Sequence, residues 1–329
     1  MTQLPLRLKQ ADYAGWPKAL WIERGALTLV LVPQVGGRIM GLRWRDRDLY
    51  WINQTLTGQP IDVNAYRNPS LDKHSLGFLL WGGDKTWLAP QDHWTGGLPF
   101  LDLDSGSYAL TVMEQSTFQV SIKMTSSICR ETGVRIVRTV QMNATDDSWT
   151  VTHGIENCSD RTIEWGNWGV SMVRRPATVF LPVRSNSPFP EGVKTFETEG
   201  DSVAAKSRVV SHLEDIIAVS CLDSTKFKYG VDSTQGCILA VLPMNEGYFL
   251  GYLKRFPTFH PEPYGHGCVA EVFNASEYPY LELETHGPVK TLGPGESFEL
   301  AESDRIVELA SMPLTATDMK AIMLMGEQL

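Results

Sequence analysis

The stretch YPYLELETHGPVKTLGPGESFEL, Tyr278 to Leu300, decides between a helical and a β-sheet interpretation of this chain. Apolar and polar residues alternate through its first part, and side chains two positions apart in a strand point to one face. The turn sequence LGPGES separates this run from a second one. The stretch therefore predicts two strands, Tyr280 to Thr285 and Ser297 to Ala301.

The same pattern extends outward from this stretch over most of the chain. Short alternating runs bounded by Gly, Pro, Asn and Asp recur, whereas helical periodicity is nearly absent until a short run capped by Thr317 and ended by Gly326. Many strands in succession predict antiparallel sheets. Because no repeat of propeller period is present, we favour an all-β fold, a large antiparallel two-sheet β-sandwich with a short C-terminal helix, over a barrel or a propeller.

The length of 329 residues is compatible with two domains, but no linker separates two self-contained patterns. We therefore expect residues 1–329 to form a single β-sandwich domain. The irregular stretch Ser185 to Gly200 carries prolines and acids without alternation, and we interpret it as a surface excursion that could act as a lid.

Charge and composition argue against two classes of partner, nucleic acids and membranes. The chain has 29 basic and 38 acidic residues, a net charge of −9, which argues against a nucleic-acid partner. The apolar stretch Ala26 to Val32 is too short to span a bilayer, and no basic run indicates a membrane surface. The first sixteen residues lack the apolar segment of a secretory signal, so we expect a cytoplasmic protein. The sequence does not indicate an oligomeric state.

A tryptophan-rich segment, LWGGDKTWLAPQDHW from Leu80 to Trp94, is the first candidate binding region. Indoles offer a broad apolar face with one polar N–H, and a sugar ring has an apolar C–H face and a rim of hydroxyls. The segment therefore fits a carbohydrate better than a phosphate chain. An aromatic-rich turn that closes one end of a core explains it equally well.

Two carboxylates form the second candidate. If Leu281 and Leu283 face the core, Glu282 and Glu284 share the opposite face, with Cα atoms roughly 6.5–7 Å apart. On a concave surface, two such charges raise one pKa and give an acid beside a base. On a solvent-facing sheet they have no such effect. The spacing of His260, Glu262 and His266 is a weak metal signal interrupted by prolines, and we expect neither a metal nor an organic cofactor.

Three segments together resemble the galactose mutarotase-like superfamily, and within it the uncharacterised branch labelled DUF4380. These segments are VPQVGGRIMGLRW (32–44), IENCSDRTIEWGNWG (155–169) and YLELETHGPVKTLGPGESFEL (280–300). The resemblance implies a β-supersandwich that binds a small-molecule sugar or oligosaccharide. Aldose 1-epimerases of this fold open and close a sugar ring with a glutamate base and a histidine acid.

The resemblance also assigns roles to residues. The late strand that carries the epimerase base resembles LELET, so Glu284 or Glu282 is the candidate base, and His93 is the candidate acid. The candidate substrate-binding residues, as hydroxyl ligands or aromatic platforms, are Arg38, Trp81, Asp84, Lys85, Trp87, Asn167 and Trp168. For Arg38, a surface charge on its strand is an equally good interpretation.

The chain departs from the epimerase pattern in one place. The NHSYFNL-type motif that supplies the catalytic histidine is replaced by GNWGVSM, with Asn167 and Trp168 at that place. Asparagine hydrogen-bonds but is not an acid near neutral pH. The sequence thus leaves three functions open, which are an aldose-1-epimerase-like isomerase, a non-catalytic carbohydrate-binding or sensor protein, and a glycoside hydrolase or lyase. The third ranks last, because neighbouring carboxylates on one strand do not easily flank a scissile bond.

Overall fold

Two large antiparallel sheets form the molecule. The structure is a computed structural model that describes residues 4–67, 73–197, 202–244 and 247–325. Its strands are numbered in chain order. The first sheet runs, edge to edge, β1 Arg7–Tyr13, β2 Trp16–Arg24, β3 Leu27–Val32, β4 Arg38–Trp44, β6 Asp84–Ala89, β11 Ile163–Arg174, β20 Tyr280–His286, β19 Ala270–Asn274, β16 Phe227–Val231 and β13 Val193–Thr195. The short strands β5 Arg47–Asp48 and β21 Lys290–Leu292 pair with β4 and β11.

The second sheet has ten strands. It runs β14 Val210–Leu213, β15 Ile216–Cys221, β12 Ala177–Pro182, β17 Cys237–Pro243, β18 Phe249–Arg255, β22 Ser297–Leu309, β10 Ser148–Asn157, β9 Val134–Asn143, β8 Gln119–Thr125 and β7 Ala109–Gln115. The predicted all-β sandwich is confirmed. Val, Ile and Leu side chains from both sheets form the main apolar core between them.

Helices are short and peripheral. They are α1 Leu101–Asp104, α2 Ser202–Val209 and α3 Ala316–Met323, with 3-10 turns at Ala65–Arg67, Lys73–Leu76, Gln91–His93, Thr95–Gly97 and Pro190–Gly192. The predicted C-terminal helix is present, but Thr315 rather than Thr317 caps it, through a reciprocal bond with Asp318. Its buried Met319 and Met323 pack on the second sheet. Gly326 lies outside the described residues. None of the described helices has the length and apolar character needed to cross a bilayer.

Ionic groups bridge the two sheets inside the sandwich. Lys254 on β18 contacts Asp304 at 2.9 Å and Glu302 at 3.1 Å on the adjacent β22, and it lies 4.0 Å from Asp84 on the first sheet. Arg138 on β9 forms an ion pair with the same Asp84. All five side chains are almost fully buried. The core is therefore apolar only in part, and its charges are paired across the layers.

Part of the predicted excursion 185–200 forms regular secondary structure. It contains the 3-10 turn Pro190–Gly192 and the edge strand β13, and residues 198–200 lie outside the described residues. Beyond β13, Phe196 and Glu197 reach the face of the first sheet that is turned away from the second sheet. That face carries the candidate site.

Candidate functional site

Strand register places the candidate residues in rows on the outer face of the first sheet. Asp84 and Thr86 on β6 point to the second sheet, where they contact Arg138 and His153. Alternation therefore turns Lys85 and Trp87 outward. Three rows of outward residues follow from the pairing of β6, β11, β20, β19 and β16: Trp87–Trp168–His286, then Lys85–Val170–Glu284–Glu271–Gly230, then Met172–Glu282–Phe273–Lys228.

A cleft of about 440 Å³ opens on these rows. Its walls are largely aromatic, and its polar lining includes a carboxylate and an ammonium group from the third row. The lining residues include Phe78, Trp87, Gln91, Trp168, Glu197, Lys228, Phe273, Tyr280 and Glu282. Its volume lies within the range of small-molecule sites, roughly 300–1,000 Å³.

Glu284 lies beneath this cleft and is fully buried. Its Oε2 accepts hydrogen bonds from Trp168 Nε1 and Lys228 Nζ, each at 2.8 Å. Its Oε1 has no hydrogen-bond partner among the described residues. Burial raises the pKa of Glu284 to about 8, since the repulsion of Glu271 and Glu282 offsets the attraction of Lys228. The carboxyl is therefore predominantly protonated at neutral pH.

Glu271 is the ionised partner in this cluster. Lys228 Nζ lies 2.7 Å from its Oε2, and the ring nitrogens of His266 and His286 lie 3.1 and 3.3 Å from its Oε1. Burial opposes ionisation, but Lys228 and the two histidines together lower the pKa of Glu271 well below its usual range. Burial lowers the pKa of His286 to about 4, so this ring is neutral at physiological pH.

Glu282 differs from Glu284 although it lies two residues away on the same strand. It is 7% exposed and lines the cleft. Among the described residues it has no hydrogen-bond or ion-pair partner. Lys85 lies nearby, with its ammonium 3.4 Å from the centre of the Trp87 ring. Burial lowers the pKa of Lys85 to about 8, against the opposing effect of the Glu282 charge. The two glutamates therefore lie in different environments, Glu282 at the cleft surface and Glu284 buried behind it.

The structure brings five of the sequence-predicted site residues together. Trp87, Trp168 and Glu282 line the cleft, while Glu284 and Lys85 lie directly behind its surface. Glu282 and Glu284 do not lie on a solvent-facing sheet, because both faces of β20 are buried.

Four predicted binding residues lie elsewhere. The Asp84 carboxylate faces the second sheet, and Asn167 donates to the backbone oxygen of His153, also between the sheets. Arg38 is buried in an ion pair with Asp104 at 2.6 Å. Trp81 packs edge-on against Trp16 and donates to Ser105 Oγ. In each case a protein partner occupies the polar group that the sequence assigned to a sugar.

His93 is separated from the two glutamates. It is exposed at the end of the turn Gln91–His93 and lines a second cavity of about 480 Å³ with Trp165, Arg161 and Glu131. Gln91 lines the cleft, whereas His93, two residues further along the chain, lines the second cavity.

Five residues of this site were not among the site residues predicted from the sequence. They are Lys228, Glu271, Phe273, His266 and His286. Lys228 and Glu271 lie in plain alternating strands without a motif. Only the register between β19 and β20 places Glu271 and Phe273 at the site, because Glu271 pairs with Glu284 and Phe273 pairs with Glu282. That pairing is not readable from one sequence.

His266, Glu271 and His286 have the chemistry of a metal site, with ligand atoms within 4.8 Å of one another. Two contacts favour a hydrogen-bonded cluster instead. The backbone N–H of Gln91 donates to His266 Nε2 at 3.2 Å, which leaves the proton of the neutral ring on Nδ1, facing Glu271. The Lys228 ammonium already supplies Glu271 with a counter-charge.

Comparison with known proteins identifies relatives of the fold. No protein-family profile matches the chain, and no curated protein matches its sequence. A solved structure from Klebsiella pneumoniae, provisionally named an aldose 1-epimerase, has a TM-score of 0.61 at 11% identity and covers 97% of this chain and 85% of its own. One from Escherichia coli K12 with the same provisional name has a TM-score of 0.55 at 15% identity, covering 92% and 100%.

A galactose mutarotase-like protein from Lactobacillus casei has a TM-score of 0.53 at 11% identity and covers 88% of this chain and all of its own. Identities this low establish a common fold and no activity. The chain has the galactose mutarotase-like β-sandwich fold.

Proposed function

We propose that the cleft binds a monosaccharide and that the protein interconverts its anomers, as an aldose-1-epimerase-like isomerase. One observation carries this proposal, the pairing on β20 of Glu282, which faces the cleft, with the buried Glu284. General acid–base catalysis needs groups held in opposite protonation states near the working pH. Glu284, whose pKa burial raises to about 8, is the candidate acid, and Glu282, which faces the cleft without a protein partner among the described residues, is the candidate base.

The lining of the cleft suits a sugar. Trp87, Trp168 and Tyr280 present aromatic faces to the apolar side of a pyranose, and Gln91 and Glu282 offer hydrogen bonds to hydroxyls. The fold of the mutarotase-like structures, compared above, supports the same ligand class. The finer placement in the DUF4380 branch rests on the three sequence segments and is also a proposal.

In the proposed reaction, Glu282 accepts the proton of the anomeric O1 hydroxyl. The C1–O5 bond breaks, its electron pair goes to the ring oxygen O5, and O5 receives a proton that Glu284 supplies indirectly, through a donor that faces the cleft. Rotation about C1–C2 and reversal of these steps close the ring as the other anomer. Because His93 lies in a different cavity, this scheme gives the acid role to Glu284 and the base role to Glu282.

A binding protein without turnover is the second candidate. The complete burial of Glu284 behind Trp168 favours it, because a buried carboxyl does not touch a sugar directly. Both candidates predict sugar binding, and only the first predicts exchange.

Saturation-transfer NMR on a panel of aldoses tests the isomerase, and calorimetry tests binding. We expect the chain to accelerate anomer exchange and both Glu282→Gln and Glu284→Gln to reduce the rate at least tenfold, while the exposed Glu299→Gln does not. Binding without exchange would select the binding protein. No binding to any aldose would reject both.

A further inference from the structure

A carboxylate, an aromatic ring and an ammonium group lie in one row across three adjacent strands. Phe273 on β19 pairs with Glu282 on one side and with Lys228 on the other. Strands lie about 4.8 Å apart, so the Cα atoms of Glu282 and Lys228 are roughly 10 Å apart. All three side chains line the cleft. Two long side chains that flank a ring at this spacing are able to converge on a ligand stacked upon it.

Lys228 also connects the cleft to Glu284. Its ammonium contacts Glu271 at 2.7 Å and Glu284 at 2.8 Å, which engages two of its three N–H bonds. The side chain is nevertheless 15% exposed, whereas both carboxylates are completely buried. The third N–H is thus the one that remains for a group in the cleft.

The sequence leaves room for this arrangement at Gly230, two residues beyond Lys228 on the same face of β16. A Cβ there would overlap Cys268 Sγ and come within 3.1 Å of the Phe196 ring. Phe196 in turn lies 5.4 Å from the Lys228 ammonium. The glycine therefore leaves space for Phe196 to pack beside Lys228.

We propose that Lys228 is a catalytic residue that hydrogen-bonds the ring oxygen of a sugar stacked on Phe273. In this arrangement Glu282 lies on one side of the sugar, and Lys228 links the other side to the buried Glu284. This inference rests on the proposed function and supplies its missing contact. As the C1–O5 bond breaks, the electron pair on O5 takes a proton from the Lys228 ammonium. The Glu284 carboxyl returns a proton to Lys228, and the proton from O1 resides on Glu282. Protons balance, and no other reactant is needed.

Sugars with sulfur in place of the ring oxygen test the contact directly, because a thioether is a weak acceptor. The probes are D-glucose and D-galactose with their 5-thio analogues, measured by calorimetry. We expect the wild-type chain to prefer the oxygen sugar by about tenfold or more, the range of a hydrogen bond to a charged group. Lys228→Met should remove most of this preference, and Lys9→Met, which changes an exposed paired lysine on β1, should retain it.

Lys228→Arg separates binding from proton delivery. Arginine keeps the charge and donors but holds its proton throughout. It should retain the preference for ring oxygen while anomer exchange falls at least tenfold. If Lys228→Met binds oxygen and sulfur sugars with the same ratio as wild type, Lys228 does not contact O5 and this inference fails, although the proposed function stands. If no probe binds the wild-type chain, both fail.

Discussion

The indole nitrogen of Trp168 lies 2.8 Å from Oε2 of Glu284, so the ring that walls the cleft also covers the carboxyl behind it. Trp168 stands in the segment GNWGVSM, where the resembled epimerases carry their histidine motif. The exchange of a titratable ring for an indole leaves a hydrogen-bond donor but no acid. In the proposed reaction, the acid is therefore assigned to Glu284 together with Lys228, which contacts it at 2.8 Å.

Replacing the protonated carboxyl with an amide should change the pH dependence of stability. Burial raises the pKa of Glu284 from 4.5 to about 8. Its stabilising contribution is therefore complete below about pH 4.5 and is lost as the pH rises through 8. Glutamine is neutral throughout this range. We expect the wild-type chain to lose stability relative to Glu284→Gln as the pH rises from 4.5 to 8. The difference between their free energies of unfolding should change by more than about 1 kcal/mol over this range.

Urea denaturation at several pH values measures this difference. Glu299→Gln, on an exposed position of β22, is the control and should run parallel to wild type. A constant offset between Glu284→Gln and wild type across the range would show that Glu284 ionises normally.

Removing an exposed ring at the rim should weaken sugar binding without affecting folding. Phe78 is 42% exposed and lies edge-on to Trp87 at the cleft. We expect Phe78→Ala to lower affinity several-fold, since aromatic contacts contribute about 0.5–1.5 kcal/mol. Calorimetry checks this against Phe118→Ala, which changes a 63% exposed ring in the turn between β7 and β8 of the second sheet.

His93→Ala discriminates between the two cavities. Because His93 lines the cavity near Trp165, the variant should bind and exchange sugars as wild type does. Loss of exchange with intact folding would restore His93 as the acid.

Adding one methyl group at Gly230 should disturb the site. The new Cβ meets Cys268 and Phe196, and we expect Gly230→Ala to destabilise the fold by roughly 1–3 kcal/mol and to displace Lys228. Thermal unfolding measures the loss. At Gly293 the nearest atom to an added Cβ lies at 3.4 Å, an ordinary contact, so Gly293→Ala should cost much less.

Breaking the interior ion cluster should be strongly destabilising. Lys254→Met leaves Glu302 and Asp304 buried without their main counter-charge, and loss of one partner of a buried pair costs about 3–5 kcal/mol. The exposed pair of Lys320 and Asp215 provides the comparison, and Lys320→Met should cost far less than Lys254→Met, because solvent screens an exposed pair. Equal losses in chemical denaturation would contradict this account.

The sequence was informative wherever one strand carried its own signal. Alternation located Arg38–Trp44 and Ile216–Cys221 with their observed bounds, and it placed β20 and β22, although β22 continues to Leu309. It missed β6, because Asp84–Ala89 is buried on both faces and lacks the alternation of a half-exposed strand. That strand was interpreted as part of an aromatic loop.

The site was predictable only in part for a related reason. Trp87, Trp168 and the two glutamates were identifiable by residue type. Whether a polar side chain faces a ligand or a buried partner depends on register between distant strands. Asp84 and Lys85 illustrate this, because adjacent positions on one strand point to opposite sides of the sheet.

The ionic groups between the sheets restrict how the two layers fit together. Aliphatic surfaces slide over one another with gradual changes in energy, but Asp84 has its counter-charges, Arg138 and Lys254, on the opposite layer. A shift of one layer by a single residue would leave these charges facing hydrocarbon. We expect the mutual alignment of the layers, and with it the shape of the outer cleft, to tolerate aliphatic substitutions in the core more readily than the loss of any one of these charges.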